Sequence, residues 1–242
     1  MEAIKTCQLT KRYPDCLAVD RLNLSISNGE LFALLGVNGA GKTTAIKMLS
    51  CLTAPTEGEA YVCGHCVRKE ALAIKALIGV SPQETAVAPN LTVLENLELL
   101  CSIHGFSRQR AAERVQALTK QFRLQPILTR KAGKLSGGWQ RRLSIAMALI
   151  SEPQVLFLDE PTLGLDVIAR RELWDTILAL KGKVTIILTT HYLEEAEALS
   201  DRIGIMKDGR LLLTGTAAEL LEQTGADRFE TAFISVIKEA EE

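Results

Sequence analysis

No apolar run in these 242 residues approaches the roughly 18 that a membrane-crossing helix needs, so the chain is not expected to span a bilayer by itself. Neither sign of charge dominates. With 28 Lys and Arg against 29 Asp and Glu, bulk electrostatics give no reason for nucleic-acid binding, and no nucleic-acid partner is expected. Basic residues do gather at Arg130, Lys131, Lys134, Arg141 and Arg142, which suggests a solvated face or an interface. Cysteines are few and scattered (Cys7, Cys16, Cys51, Cys63, Cys66, Cys101), as suits a reducing cytosol rather than a disulfide framework. Cys63-Gly64-His65-Cys66 mimics a dithiol or half a zinc site. No second Cys or His pair exists to complete it, and a turn after the strand-like Glu59 to Val62 is expected instead. Met1 to Tyr13 lacks the charged start, apolar centre and small-residue cleavage site of a signal peptide. Internal repeats and low-complexity segments are absent too, while 47% hydrophobic residues suffice for a large core.

What is present is concentrated in a few short strings. Gly36-Val37-Asn38-Gly39-Ala40-Gly41-Lys42-Thr43 satisfies G-x-x-x-x-G-K-[ST], follows the apolar Leu31 to Leu35, and opens a helical pattern from Lys42 to Leu52. Glycines at these positions let backbone N–H groups curl round phosphate oxygens, while the helix that follows aims its positive dipole end at them. Lys42 is placed to reach the β and γ phosphates, the Thr43 hydroxyl to hold Mg²⁺, and Thr44 extends the pair of hydroxyls. A triphosphate such as ATP with Mg²⁺ is the ligand this pattern fits.

Hydrophobic periodicity organises the rest. Ile4, Cys7 and Leu9, then Val19, Leu22, Leu24 and Ile26, alternate like half-buried antiparallel strands. Asn28-Gly29 turns the chain into the strand Leu31 to Leu35; Pro55-Thr56-Glu57-Gly58 is a turn, with strands near Glu59 to Val62 and Leu77 to Val80 after it. From Glu84 to about Pro153 the pattern is helical. A capping box, Thr92-Val93-Leu94-Glu95, precedes Leu97, Leu99, Leu100 and Ile103, and helices are expected over Arg108 to Phe122 and Ser136 to Ile150. Then come Val155 to Leu158, Val167 to Leu180, Val184 to Thr189 and Tyr192 to Leu199, an alternation of strand and helix that implies a parallel sheet covered by helices. The expected fold class is α/β: a P-loop NTPase core over residues 1–83 and 154–223 with an antiparallel β subdomain, an α-helical subdomain inserted over 84–153, and a helical tail over 224–242.

Leu156-Phe157-Leu158-Asp159-Glu160 places two carboxylates at the C-terminal end of a buried strand, the edge where open α/β sheets bind ligands. Asp159 is the candidate Mg²⁺ holder and Glu160 the candidate base for the attacking water. Between these strings lies Leu135-Ser136-Gly137-Gly138-Trp139-Gln140 at the start of a helix. Together the strings resemble the ATP-binding subunit of an ATP-binding cassette (ABC) transporter over nearly the whole chain, and the resemblance implies a RecA-like core.

In that family the helix N-terminus at Ser136, Gly137 and Gly138 is offered to the γ phosphate lying on a second subunit's P-loop, a second dipole-and-backbone anion site. The position that is usually glutamine is Trp139 here, so the backbone contacts are expected to survive without the side-chain contact. Other positions match singly. Tyr13 resembles the aromatic that stacks on adenine, with an exposed tyrosine at a strand-end turn as the rival reading. Gln83 resembles the glutamine that reaches Mg²⁺ and the attacking water, Asp166 the residue of the loop crossing the dimer interface, and His191 the switch histidine at the γ phosphate. The stretches from Thr189 to Gly209 and from Phe229 to Ile234 resemble the cassettes of ABC-2 type exporters of drugs, antibiotics or polysaccharides. What the resemblance implies is a peripheral ATPase at the cytoplasmic face of the cell membrane, partnered by transmembrane permease subunits and a second cassette. A soluble ABC ATPase acting on ribosomes or DNA, and an importer cassette, are the alternatives.

Overall fold

The structure is a computed structural model that describes residues 2–240. It opens on a hairpin of two long antiparallel strands, β1 (Glu2–Tyr13) and β2 (Cys16–Ser27). Regular alternation from Ile4 through Thr6 turns Cys7, expected to alternate inward with Ile4 and Leu9, out to solvent, and register shifts beside Gln8 and Arg21, both with left-handed backbone, then bring Leu9 inward. After Asn28-Gly29, β3 (Leu31–Gly36) is buried on both faces. The P-loop helix α1 (Lys42–Leu49) stops short of the expected Leu52. The Ser50 hydroxyl bonds the Ile46 carbonyl at 2.8 Å, and Cys51 takes the left-handed conformation that ends the helix.

Strand β4 (Glu57–Val62) begins inside the expected turn, because Glu57 pairs with Thr10 on β1. Cys63 and Gly64, both at positive φ, form the two-residue connection to the short β5 (His65–Cys66), so the Cys-Gly-His-Cys string is a hairpin turn. Burial pushes the Cys63 thiol above its ordinary pKa, which makes it a poor nucleophile or ligand. Helix α2 (Ala71–Leu77) was not anticipated. Only Ile74 on it is buried and no side chain caps it, so the sequence carries neither an apolar stripe nor a start signal.

β6 (Ile78–Ser81) leads to three helices, α3 (Val93–Ile103), α4 (Arg108–Gln121) and α5 (Gly137–Ala148). The Thr92 and Glu95 capping box forms as expected, but Leu99 and Ile103 face outward, 41% and 69% exposed. Then follow β7 (Val155–Asp159), α6 (Val167–Leu178), β8 (Thr185–Thr190), α7 (Leu193–Leu199), the hairpin β9 (Arg202–Lys207) and β10 (Arg210–Gly215), and helices α8 (Ala217–Thr224) and α9 (Phe229–Glu239).

Two sheets result. One is antiparallel, in the order β2-β1-β4-β5; the other runs β10-β9-β3-β8-β7-β6 and is parallel except for its β10 edge. Alternation on the central strands divides the core. Phe32, Leu34, Phe157 and Ile187 point towards α1 and the antiparallel sheet, whereas Leu31, Leu156, Leu158, Ile186 and Leu188 pack on α3 to α6. Because β3, β8 and β7 are neighbours in register, Leu35 pairs with Thr190 and Thr189 with Asp159. The P-loop, Glu160 and His191 therefore leave the sheet along one edge.

Candidate active site

That edge opens on a cleft of about 590 Å³, lined by Asn38 to Thr44, Gln83, Glu160, Leu163, His191 and Asp208, with Cys16 to Ala18 of the hairpin as its far wall. The P-loop is braced from behind. Gly209 N–H donates to the Ala40 carbonyl at 3.1 Å, and Asp20 N–H donates to the Gly209 carbonyl at 2.9 Å. Gly41 sits at φ +99°, and a Cβ there would lie 2.3 Å from the Ala18 carbonyl oxygen, so only glycine allows the hairpin to close on the loop. No side chain caps α1, which leaves the N–H donors of its first turn for an anion.

Lys42 is buried at 5% exposure. Its ammonium donates to the Gly36 carbonyl at 2.8 Å and the Val37 carbonyl at 3.0 Å, and lies 3.6 Å from Glu160 Oε1. Burial lowers its pKa, opposed by the charges of Glu160 and Asp159. Glu160 has left-handed backbone at φ +49°, an unfavourable conformation held by two bonds: its N–H donates to the Thr189 carbonyl at 3.1 Å and to Thr189 Oγ1 at 3.0 Å. Its other carboxylate oxygen is 2.5 Å from His191 Nδ1. Thr43 Oγ1 lies 3.1 Å from Asp159 Oδ1, an atom that also accepts from Thr189. The Thr43 hydroxyl and Gln83 line the cleft and the buried Asp159 carboxylate sits behind Thr43, together a hard-oxygen set of the kind that binds Mg²⁺ with substrate phosphates.

Not every anticipated residue lies in this cleft. Ser136, Gly137 and Gly138 do not line it; they start α5 elsewhere, packed near Leu165 and Ala169, and the Ser136 hydroxyl makes no capping bond although serine is a favoured cap. Asp166 is spent on capping α6 through the Ala169 N–H at 2.9 Å. Tyr13 stands at the hairpin tip, 37% exposed, with Lys11 Nζ 5.1 Å from its ring centroid; its strand partner Cys16, rather than Tyr13 itself, lines the cleft. Trp139 is half-buried, with the Arg142 guanidinium 4.9 Å from its ring centroid.

A family profile for the ABC transporter matches residues 19–163. The chain is 44% identical over 231 residues to the daunorubicin resistance ATP-binding protein DrrA3 of Streptomyces coeruleorubidus, covering 95% of this chain and 72% of that protein. It is 43% identical over 226 residues to the Nod factor export ATP-binding protein I of Burkholderia thailandensis, covering 92% and 74%. The chain belongs to the ABC transporter family. Solved structures agree: an ATP-binding subunit of an ABC transporter superposes with a TM-score of 0.86 at 27% identity, covering 97% of this chain and 99% of that one. A dimeric ATP-binding cassette in a post-hydrolysis state with ADP and Pi gives 0.80 at 30% identity, covering 88% and 98%. The chain is thus an ATP-binding cassette with ATPase activity, and none of its helices among the described residues is long and apolar enough to cross a membrane.

Two groups beside the cleft escaped the sequence reading. Arg141 and Arg142, grouped with a basic cluster expected to be a solvated face or an interface, are each 5% exposed, unlike the exposed Arg130, Lys131 and Lys134. Arg142 pairs with Glu172, and Arg141 donates to the carbonyls of Pro82 and Gln83. Glu195 on α7 is fully buried and accepts from Trp174 Nε1 at 3.0 Å. Burial pushes its carboxyl above the usual carboxylate range, opposed by the Thr190, Thr162 and Trp174 side chains and by Arg170. No sequence signal marks either group, since a charged residue on a helix is ordinarily solvated.

Proposed function

We propose that the chain works as an exporter cassette, paired with a second cassette and bound to transmembrane permease subunits at the cytoplasmic face of the membrane. The observation that carries this reading is the division of the phosphate-binding machinery. Lys42, Thr43, Glu160 and His191 line one cleft, with the buried Asp159 bonded to Thr43 behind them, while the uncapped start of α5 at Ser136-Gly137-Gly138 stands outside it and needs another cassette's nucleotide to be useful. Val167 and Ile168, each 74% exposed beside Asp166, supply apolar surface where the second cassette would close. Export, rather than import, is supported by the two relatives, which are named for drug resistance and Nod factor export.

In this reading the N–H groups of Gly36 to Thr44 and the Lys42 ammonium hold the triphosphate. Lys42 leaves Glu160 to do so. Thr43, Asp159 and Gln83 would hold Mg²⁺, which would supply positive charge to offset that of the triphosphate. Freed of Lys42, Glu160 accepts the proton of a water whose oxygen attacks the γ phosphorus as the bond to the ADP oxygen breaks, and His191, already bonded to Glu160, steadies the carboxylate and reaches the γ phosphate. The recess for a permease helix in this reading is the surface beside Gln83 and Val87 to Leu94, and a groove of about 450 Å³ between α3 and α4, lined by Leu94, Val115 and Leu128, begins at the end of that segment.

Glu160→Gln tests the assignment by separating binding from chemistry. The variant should bind Mg-ATP with near-normal affinity, lose turnover by the roughly 10²-fold or more of a missing general base, and run as a nucleotide-loaded dimer on size exclusion. Hydrolysis at the parent rate would show that Glu160 is not the base.

A further inference from the structure

Four of the five residues from Ser81, the last of β6, to Thr85 are tied to α5. Ser81 Oγ and Ser144 Oγ are 2.9 Å apart, Arg141 Nη1 donates to the Pro82 carbonyl at 2.7 Å, Arg141 Nη2 donates to the Gln83 carbonyl at 2.6 Å, and Thr85 Oγ1 reaches Gln140 Oε1 at 3.5 Å, leaving only Glu84 of the stretch aside. Arg141 provides the two central bonds. Its guanidinium is buried, and among the described residues it makes no ion pair within 4.0 Å; Asp159 and Glu195 attract it only from farther away. A cation taken out of water without a counter-charge is costly. What it receives in return is two short charge-assisted bonds to consecutive carbonyls, matched to the planar fork that arginine has and lysine lacks.

The helix that makes these bonds begins at Ser136, and the backbone it grips carries Gln83 into the cleft. We propose that Arg141 is a positioning residue that fixes Gln83 to α5, so that engagement of Ser136-Gly137-Gly138 by the nucleotide of a second cassette is transmitted to the Gln83 side chain in this cassette's own cleft. The link rests on the roles given above to Gln83 and to the start of α5. It makes the two nucleotide sites of a pair mechanically dependent on each other through one guanidinium in each chain.

The test uses the full chain with Arg141→Lys, which keeps the charge but not the fork, and Arg141→Met, which removes the buried charge while roughly keeping the length. Losing charge-assisted bonds of this kind should lower kcat about tenfold or more, with nucleotide affinity, measured with a fluorescent ATP analogue, held within about twofold of the parent. Amides of residues 83 to 86 should exchange hydrogen faster in both variants. In a Gln83→Ala background the cost of Arg141→Lys should disappear, because a residue that acts through Gln83 has nothing left to position. An undiminished cost in that background, parent-level kcat, or unchanged exchange at residues 83 to 86 overturns the proposal. Should Gln83→Ala itself turn over at the parent rate while exchange still rises, the tether stands and the catalytic role of Gln83 falls, so the two failures are separable. If Arg141→Met does not fold, Arg141→Lys carries the same comparisons.

Discussion

Lys42 bonds two loop carbonyls and lies against the carboxylate of Glu160. Phosphates must compete for it, and what they gain is a desolvated charge contact. Lys42→Ala should therefore weaken Mg-ATP binding by about 100-fold or more, the scale for losing one partner of such a contact, and unchanged affinity by calorimetry would remove the lysine from the site. Glu195 supplies a pH test. Its folded-state pKa is raised by burial, so the folded protein holds a proton that the unfolded chain gives up first; stability from this group is present at low pH and lost as pH rises past the ordinary carboxylate range. Glu195→Gln keeps the Trp174 bond without the ionisable group. Its melting temperature relative to the parent should rise between pH 5 and pH 8, and a difference independent of pH would mean that Glu195 is charged throughout.

At the scale of elements, the cleft depends on how closely β6 approaches the end of α5. Gly79 is the contact: a Cβ there would lie 2.2 Å from the Ala148 carbonyl oxygen and 3.2 Å from the Pro153 ring. Rigid backbone cannot give way as a flexible side chain can. Gly79→Ala should cost about 1–3 kcal/mol or more, read from the urea midpoint, and should also slow ATP hydrolysis, because β6 delivers the segment that carries Gln83. Full stability in the variant would mean that the strand can shift without consequence. The hairpin β1-β2 has a comparable part from the other side, since its Ala18 backbone closes on Gly41 and its Asp20 N–H holds Gly209 behind the P-loop.

For the whole molecule, the separation of Ser136 from the cleft makes a sharp prediction about stoichiometry. A Lys42→Ala chain keeps an intact α5 start, and a Ser136→Arg chain keeps an intact P-loop. Each alone should be inactive, whereas a mixture should recover phosphate release, because one composite site per pair joins the good half of each. Activity of the parent should also rise faster than linearly with protein concentration where the pair is not saturated. No recovery on mixing, combined with full activity of a strictly monomeric parent, would refute the paired arrangement.

The sequence by itself determined the parts whose signal is local. Glycine spacing and a lysine before a helix declared the P-loop, a buried apolar run ending in Asp159-Glu160 declared the strand that carries the carboxylates, and Thr92 with Glu95 declared a helix start, because each depends on neighbours in the chain. Strand and helix alternation was enough for the α/β class. Tertiary structure alone decided the rest. Register shifts between two strands brought Leu9 inward while Cys7 stayed outside, Ile74 became the one buried residue of α2, and packing of α5 against β6 drew Arg141 onto the Gln83 backbone. In the same way Glu195, one carboxylate in an acidic run, became a fully buried group behind the sheet edge. The physical reason is common to all of these. Burial and backbone capture depend on which distant segment lies opposite a residue, and neither periodicity nor composition along the chain records that.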